Sequence, residues 1–149
     1  MRSLNRLALL CITAAVGTPL AAQTATRVPI VPAGQSATAT LTPGIKAGNL
    51  VFASGQLGMS RDKPDSTIQG QTRVALENVK KVFEAAGTTM SNAVKCTVFI
   101  VDLKDFAGMN ASYKEFFPDS PPARSTVVVA ALVSPGAKIE VECIAVVTK

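Results

Sequence analysis

The alternation of apolar and polar residues predicts a series of strands and helices from about residue 49 onward. The run NLVFASG at 49–55 is apolar up to a Ser-Gly pair, which predicts a short strand closed by a turn. Between 68 and 86, apolar side chains recur every three or four positions, as on one face of a helix, and Gly87 is a natural stop. The β-branched run at 93–103 predicts the next strand.

The rest of the chain predicts one more helix and two more strands. The segment 104–117 places its aromatic side chains and a methionine on one helical face, and Pro118 ends it. The runs RSTVVVAALV (124–133) and KIEVECIAVV (138–147) are β-branched and predict strands. The four residues SPGA between them, 134–137, predict a tight turn, so we expect these two strands to pair antiparallel.

This order of elements predicts an α+β domain in which both helices pack on one face of a mixed sheet. A small sheet covered by helices on one side leaves its other face without cover. Self-association is the economical way to bury that face, so an oligomer is expected.

The N-terminal segment has the pattern of an export signal. Two arginines precede an apolar stretch at 7–16, which is too short for the roughly 20 residues that span a bilayer, and small residues near Ala22 suggest a cleavage site. We therefore expect residues 1–22 to be a signal peptide, and the mature protein to be periplasmic or secreted and free of the membrane. Residues 23–36 read as a flexible segment, and 37–149 as a single domain.

The chain contains no histidine, which excludes several classes of active site. Ser-His-Asp catalysis, Cys-His catalysis and every zinc site that uses histidine are ruled out. Cys96 and Cys143 stand too far apart along the chain to suggest a metal cluster, so neither metal nor cofactor is expected. An oxidising compartment would permit a bridge between them, but two buried free thiols are the expected state.

The charge balance gives little support to nucleic-acid binding. The net charge is +5, and loss of residues 1–22 would remove two arginines and no acid, leaving +3. Aromatic residues make up 5% of the chain and there is no long basic run. No nucleic-acid partner is therefore expected.

Arg124 is the first candidate for a functional role, because it follows two prolines and precedes a nearly unbroken apolar run. One interpretation is a solvated residue paired with a neighbouring Asp or Glu. The other is an anchor for a carboxylate, because the planar guanidinium offers a fork of donors that matches the two carboxylate oxygens. Pro121 and Pro122 would stiffen the approach and fix the direction of the side chain.

Glu142 is the second candidate. Period-two alternation along the last strand places it on the same face as Ile144 and Val146, deeper than Glu140. A buried carboxylate needs a partner or a chemical role. A salt bridge to a nearby Lys or Arg and a role in catalysis both remain open.

Two further polar residues could line a pocket, although neither is specific alone. Ser54 stands in ASGQ at a strand-to-turn junction, where serine is a common turn residue. Asn110 follows Phe106 by four positions, which turns it partly toward the buried face of its helix. Its amide is either a satisfied structural contact or a donor aimed at a pocket.

Taken together, the segments GNLVFASGQLG, QTRVALENVKKVFEAAG, VKCTVFIVDLKDFAGMNASYKEFF, PPARSTVVV and KIEVECIAVV resemble the reactive-intermediate deaminase (RidA/YjgF) family over residues 44–147. The resemblance implies a chorismate-mutase-like fold, a barrel-like homotrimer and clefts between subunits. It also implies hydrolysis of 2-imino or enamino acids to 2-oxo acids and ammonia. In that family the arginine matched by Arg124 grips the substrate carboxylate, and the glutamate matched by Glu142 positions water. Ser54, Gly55 and Asn110 match positions that line the cleft.

The residue types suit this reaction. An imine carbon is already electrophilic, so holding the substrate by its carboxylate and presenting one water is sufficient. The water must lose a proton, which a carboxylate can accept, and the leaving amine must gain one. A chain without histidine, metal or cofactor can provide both functions.

The sequence departs from the family at the rim of the cleft. Leu41, between Thr40 and Thr42, stands where the family usually has an aromatic ring, and Thr126 stands where some members have cysteine. We expect the first change to affect substrate preference or activity. The alternative function is a module that binds small carboxylates without turnover.

Overall fold

The computed structural model describes residues 26–59 and 65–148, which form a six-stranded mixed sheet with two helices on one face. The predicted signal peptide, 1–22, lies outside the described residues. None of the helices in these two ranges combines the length and apolar character needed to cross a membrane. The strands are Arg27–Ile30 (β1), Gly44–Ala47 (β2), Leu50–Leu57 (β3), Ala93–Ile100 (β4), Ala123–Val128 (β5) and Ile139–Val146 (β6), and the helices are Ile68–Ala85 (α1) and Phe106–Phe116 (α2).

The C-terminal strand lies in the middle of the sheet. The strand order is β1-β2-β3-β6-β4-β5, and β6 pairs antiparallel with both β3 and β4. Only the β4–β5 pair is parallel among the described strands, and α2 makes the crossover between those two strands. The predicted α+β architecture, with both helices on one face of a mixed sheet, is confirmed.

The predicted hairpin between the last two strands is wrong. β5 ends at Val128 and pairs with β4, and the connection 129–138 carries the chain away from β5 to the centre of the sheet. The turn at 134–137 does form, with the Ala137 N–H donating to the Ser134 carbonyl. A turn reverses the chain locally but does not determine which strand the next strand pairs with. In the centre of the sheet, β6 pairs with two strands, β3 and β4.

Two other predictions at the start of the domain need correction. Residues 23–36 were expected to be flexible, yet Arg27–Ile30 within this range forms β1 and pairs with β2. The strand predicted to end at Gly55 continues to Leu57, and its register with β6 shifts between Ala53 and Gln56. The Ser-Gly pair therefore marks a bulge inside a strand rather than a turn.

The core lies between the sheet and the helices, as the two periodicities predict. Along β4 and β6, every second residue is buried toward the helices, and the apolar stripe of α1 packs on that surface. The side chain of Thr67 caps α1 by accepting the Gly70 N–H, and Gly87 follows the helix with a φ of 81°. Helix α2 is shorter than the predicted 104–117 because Leu103–Asp105 forms a separate 3-10 turn.

An arginine fork links the two helices on their solvent side. Arg73 of α1 donates from Nε and Nη2 to the two carboxylate oxygens of Glu115 on α2, at 2.9 and 2.8 Å. This bidentate pair fixes how α2 lies along α1. Because the pair is exposed to solvent, we assign it a role in orientation rather than a large share of the stability.

Cys96 and Cys143 form a disulfide, so the expectation of two free thiols is wrong for this structure. They are directly opposite each other on β4 and β6, with Cα atoms 4.1 Å apart, and both are buried in the core. Residues paired across antiparallel strands approach this closely, whereas their separation along the sequence is 47. Sequence spacing alone could not reveal the pairing, because it depends on the register of a strand inserted from the far end of the chain.

Reduction of this disulfide should destabilise the fold. In a chain-entropy treatment, closing a loop of this size stabilises the folded state by about 4 kcal/mol. We expect urea unfolding of the wild type, at fixed protein concentration, to shift to lower urea when a reductant is added. The Cys96→Ala/Cys143→Ala double variant is the control and should show no effect of reductant. The full chain also contains Cys11, so three titratable thiols in the denatured, unreduced wild type, instead of one, would contradict the pairing.

Candidate active site

Arg124 projects from β5 toward the helices, where it contacts α2. Its Cζ lies 4.6 Å from the centroid of the Tyr113 ring, and Nη1 lies 3.9 Å from Sδ of Met109. Within residues 26–59 and 65–148, Arg124 forms no ion pair with an Asp or Glu. The interpretation of Arg124 as half of a surface salt bridge therefore finds no support in the part of the chain that the structure describes.

A cavity of about 450 Å³ opens beside Arg124. Asn110 and Lys114 of α2 line it together with Pro121 and Pro122, which approach β5. Among the described residues, the lining thus contains two cations, Arg124 and Lys114, and no Asp or Glu. This charge pattern suits a small anion. Asn110 and Arg124 line the same cavity.

Glu142 lies on the other face of the sheet. It lines a second cavity, of about 470 Å³, together with Ser54, Lys95 and Thr97. The prediction that Glu142 is buried is wrong for the single protomer, where its side chain is exposed and makes no ion pair with any described residue. The alternation of β6 does point Glu142 away from the core, but the face to which it points is open.

Ser54 is held by the segment that precedes β2. Its hydroxyl donates to the Thr42 carbonyl at 2.6 Å, and its backbone N–H donates to the Pro43 carbonyl at 3.0 Å. Because the hydroxyl proton is already used, the Ser54 oxygen can act toward a ligand only as an acceptor. Leu41, in the segment that precedes β2, is 51% exposed.

Gly55 follows Ser54 in the bulge and is in contact with Glu140. A Cβ at this position would meet the end of the Glu140 side chain, which would have to move aside.

The candidate residues form two pairs on opposite faces of one sheet. Arg124 is paired in register with Cys96, which is opposite Cys143, so these three positions share the helix face. The next row contains Thr97 and Glu142, which face the other way. One protomer therefore cannot bring Arg124 and Glu142 into the same cavity. A site that uses both must combine two chains.

The family model described as "Endoribonuclease L-PSP" matches residues 33–147. The chain belongs to this family. It is similar to the protein mmf2, mitochondrial, of Schizosaccharomyces pombe, with 42% identity over 122 residues, which are 80% of this chain and 97% of that protein. It is also similar to the putative reactive intermediate deaminase TdcF of Escherichia coli, with 43% identity over 108 residues, which are 69% and 83% of the two chains.

Solved structures of the L-PSP family agree with the fold. The crystal structure of E. coli TdcF with bound serine superposes with a TM-score of 0.73 at 38% identity, covering 81% of this chain and 99% of that one. The yeast protein YEO7 superposes with a TM-score of 0.75 at 32% identity, covering 83% and 100%. The resemblance to the RidA/YjgF family is thereby confirmed, and some of its members are named as reactive intermediate deaminases.

Three residues of these cavities were missed in the sequence. Lys95 and Thr97 alternate on the open face of β4, and the Lys95 ammonium donates to the Ser125 hydroxyl at 2.7 Å. Tyr113 was expected only as a core residue of its helix. Alternation could have placed Lys95 and Thr97 on one face, but their proximity to Glu142 depends on the position of β6.

Burial raises the pKa of Tyr113 to about 12, although the nearby Arg124 cation lowers it in part. The hydroxyl has no hydrogen-bond partner among the described residues. An ionised phenolate in this place would lose its hydration, which is the main cause of the shift.

Because Tyr113 is the only tyrosine, its ionisation can be followed directly. We expect phenolate absorbance to rise with a midpoint near 12 in the folded protein, against about 10 in the unfolded chain. Between these values the unfolded chain loses the proton first, so stability falls as pH rises through this window. Circular dichroism at each pH identifies the folded range. A folded-state midpoint at or below 10 would contradict the burial of the hydroxyl.

Proposed function

We propose that this protein hydrolyses 2-imino and enamino acids to 2-oxo acids and ammonia in a cleft between two protomers. The observation that carries the proposal is Arg124, a guanidinium at a small cavity with no anionic partner among the described residues. A guanidinium whose N–H donors have no anionic partner can bind both oxygens of a substrate carboxylate. Members of the same family named as reactive intermediate deaminases support the choice of reaction.

A homotrimer would bring the two halves of the site together, and such an assembly is consistent with the family. On the open face of the sheet, Phe52 is 39% exposed and Val127 is 43% exposed, although both are large apolar residues. Arg124 lies on β5, which is an edge strand of the sheet, so a neighbouring subunit can approach it. We propose that this neighbour presents its Glu142 face to the Arg124 cavity.

In the proposed reaction, Arg124 binds the carboxylate and so orients the imine carbon in the cleft. Glu142 of the adjacent protomer accepts a proton from a water molecule as the water oxygen bonds to that carbon. That proton passes to the imine nitrogen, which gives a tetrahedral intermediate with a hydroxyl and an amino group. The hydroxyl proton then passes to the amino nitrogen as the C–N bond breaks, so that the carbon becomes a carbonyl and ammonia leaves. One imine and one water thus give one 2-oxo acid and one ammonia.

The bound serine in the TdcF structure supports the ligand class. Serine has the α-carboxylate and the nitrogen on the adjacent carbon that a 2-imino acid also has. We therefore propose that the Arg124 cavity of this protein accepts three- or four-carbon acids of this kind, since a cavity of about 450 Å³ leaves room for a small side chain.

Substitution of Arg124 should reduce imine hydrolysis. An amino-acid oxidase can supply the imino acid, and the rate of 2-oxo acid formation is compared with and without the protein. We expect Arg124→Lys to lower kcat/KM by about tenfold, because lysine cannot form the bidentate contact, and Arg124→Ala by about a hundredfold. Arg73→Lys, which changes the bidentate arginine on the helices, is the matched control and should keep wild-type kinetics.

Two results would count against this proposal in different ways. Equal rates for wild type and Arg124→Ala would remove Arg124 from the reaction. Binding of a 2-oxo acid that calorimetry detects in the wild type and not in Arg124→Ala, without any acceleration of hydrolysis, would favour the binding module. The resemblance to the family implies an aromatic residue at the position of Leu41, which is 51% exposed here, and this difference favours the second function.

A shared site also predicts that two inactive variants restore activity when they are mixed. Arg124→Ala and Glu142→Ala chains each lack one half of every site. In a mixed ring of equal parts, about a quarter of the sites receive an intact arginine from one chain and an intact glutamate from its neighbour. We expect co-refolded mixtures to recover about that fraction of wild-type activity. A mixture no more active than its components would place both residues in one chain's site or in none.

A further inference from the structure

We propose that Tyr113 is a positioning residue that holds the Arg124 guanidinium ready for an incoming carboxylate. This inference rests on the proposed function, since it concerns the same arginine. It assigns a role to a residue that lines the Arg124 cavity and that takes no part in the bond changes of the proposed reaction.

Arg124 contacts two side chains of α2. A cation 4.6 Å from the centroid of a tyrosine ring is within the range of a cation–π interaction. The other contact of the guanidinium is with the polarisable sulfur of Met109. Both partners come from α2, so that helix provides a platform on which the guanidinium lies.

Apart from the Nη1 contact with Met109 Sδ, this kind of support leaves the N–H donors of Arg124 without a hydrogen-bond partner among the described residues. Arg73 and Arg124 differ in what holds the guanidinium. Arg73 is held by Glu115, whose carboxylate occupies two of its N–H donors. The Tyr113 ring instead attracts Arg124 through its face and accepts no conventional hydrogen bond from the fork. Arg124 is thereby oriented without being neutralised, which is what a receptor for a carboxylate needs.

The ring itself is held firmly. Tyr113 is 4% exposed, and its ring centroid lies 4.8 Å from that of Phe117. Its hydroxyl is buried without a hydrogen-bond partner among the described residues, so the interaction with Arg124 comes from the ring rather than from the O–H group. Phenylalanine should therefore replace Tyr113 in this role, whereas leucine should not.

The test measures KM and kcat separately in full-length, assembled protein, with pyruvate binding as an independent readout. Loss of a cation–π contact corresponds to a change of about 2- to 30-fold in affinity. We expect Tyr113→Leu to raise KM and the pyruvate Kd within that range while kcat changes less than about twofold, and Tyr113→Phe to restore both. Phe83→Leu, an equally buried aromatic change away from Arg124, is the control for general loosening of the core and should leave KM unchanged.

A second measurement uses the wild type, so the proposal stays testable where Tyr113→Leu fails to fold. The chain has one tyrosine and no tryptophan, so its near-ultraviolet spectrum reports on Tyr113. We expect saturating pyruvate to change that spectrum in the wild type and not in Arg124→Ala. Wild-type affinity in Tyr113→Leu, or pyruvate binding without any change in the tyrosine band, would overturn the role of Tyr113. Neither result would affect the proposed reaction, which fails only if Arg124→Ala retains full activity or the wild type has none.

Discussion

The alternation of side chains along β5 and β6 is the constraint on which the candidate site depends. Successive residues of a strand face opposite ways, and the register through β4 places Arg124 and Glu142 in neighbouring rows. No rotamer change can bring the two together through a packed sheet. The chemistry proposed for this chain therefore depends on its assembly as much as on its fold, since in that proposal each protomer would contribute half of a site on each of its faces.

The helices and the types of the site residues could be predicted from the sequence, but the order of the strands could not. A period of 3.6 or 2 shows which face of an element is buried, and α1, α2 and the inward face of β6 follow from it. Periodicity does not show which strand lies beside which. The false hairpin, the missed disulfide and the unexpected exposure of Glu142 all arise from this gap, because each depends on the central position of β6 or on a neighbouring chain.

The two structural arginine environments show how one residue type serves different purposes. Arg73 donates to both carboxylate oxygens of Glu115 and so links α1 to α2 at the surface. Arg124 lies over an aromatic ring beside Lys114, in a cavity without acidic residues. Sequence context distinguished them only partly: the prolines before Arg124 marked an unusual approach, whereas the ring that supports it lies on another element.

The central place of the last strand also bears on when the polypeptide can fold. A nascent chain that lacks 139–146 has nothing to join β3 to β4, and both would present unpaired edges. The sheet can therefore close only once residues 139–146 have been synthesised. The Cys96–Cys143 bond joins β4 to this last strand, so it too can form only at that late stage.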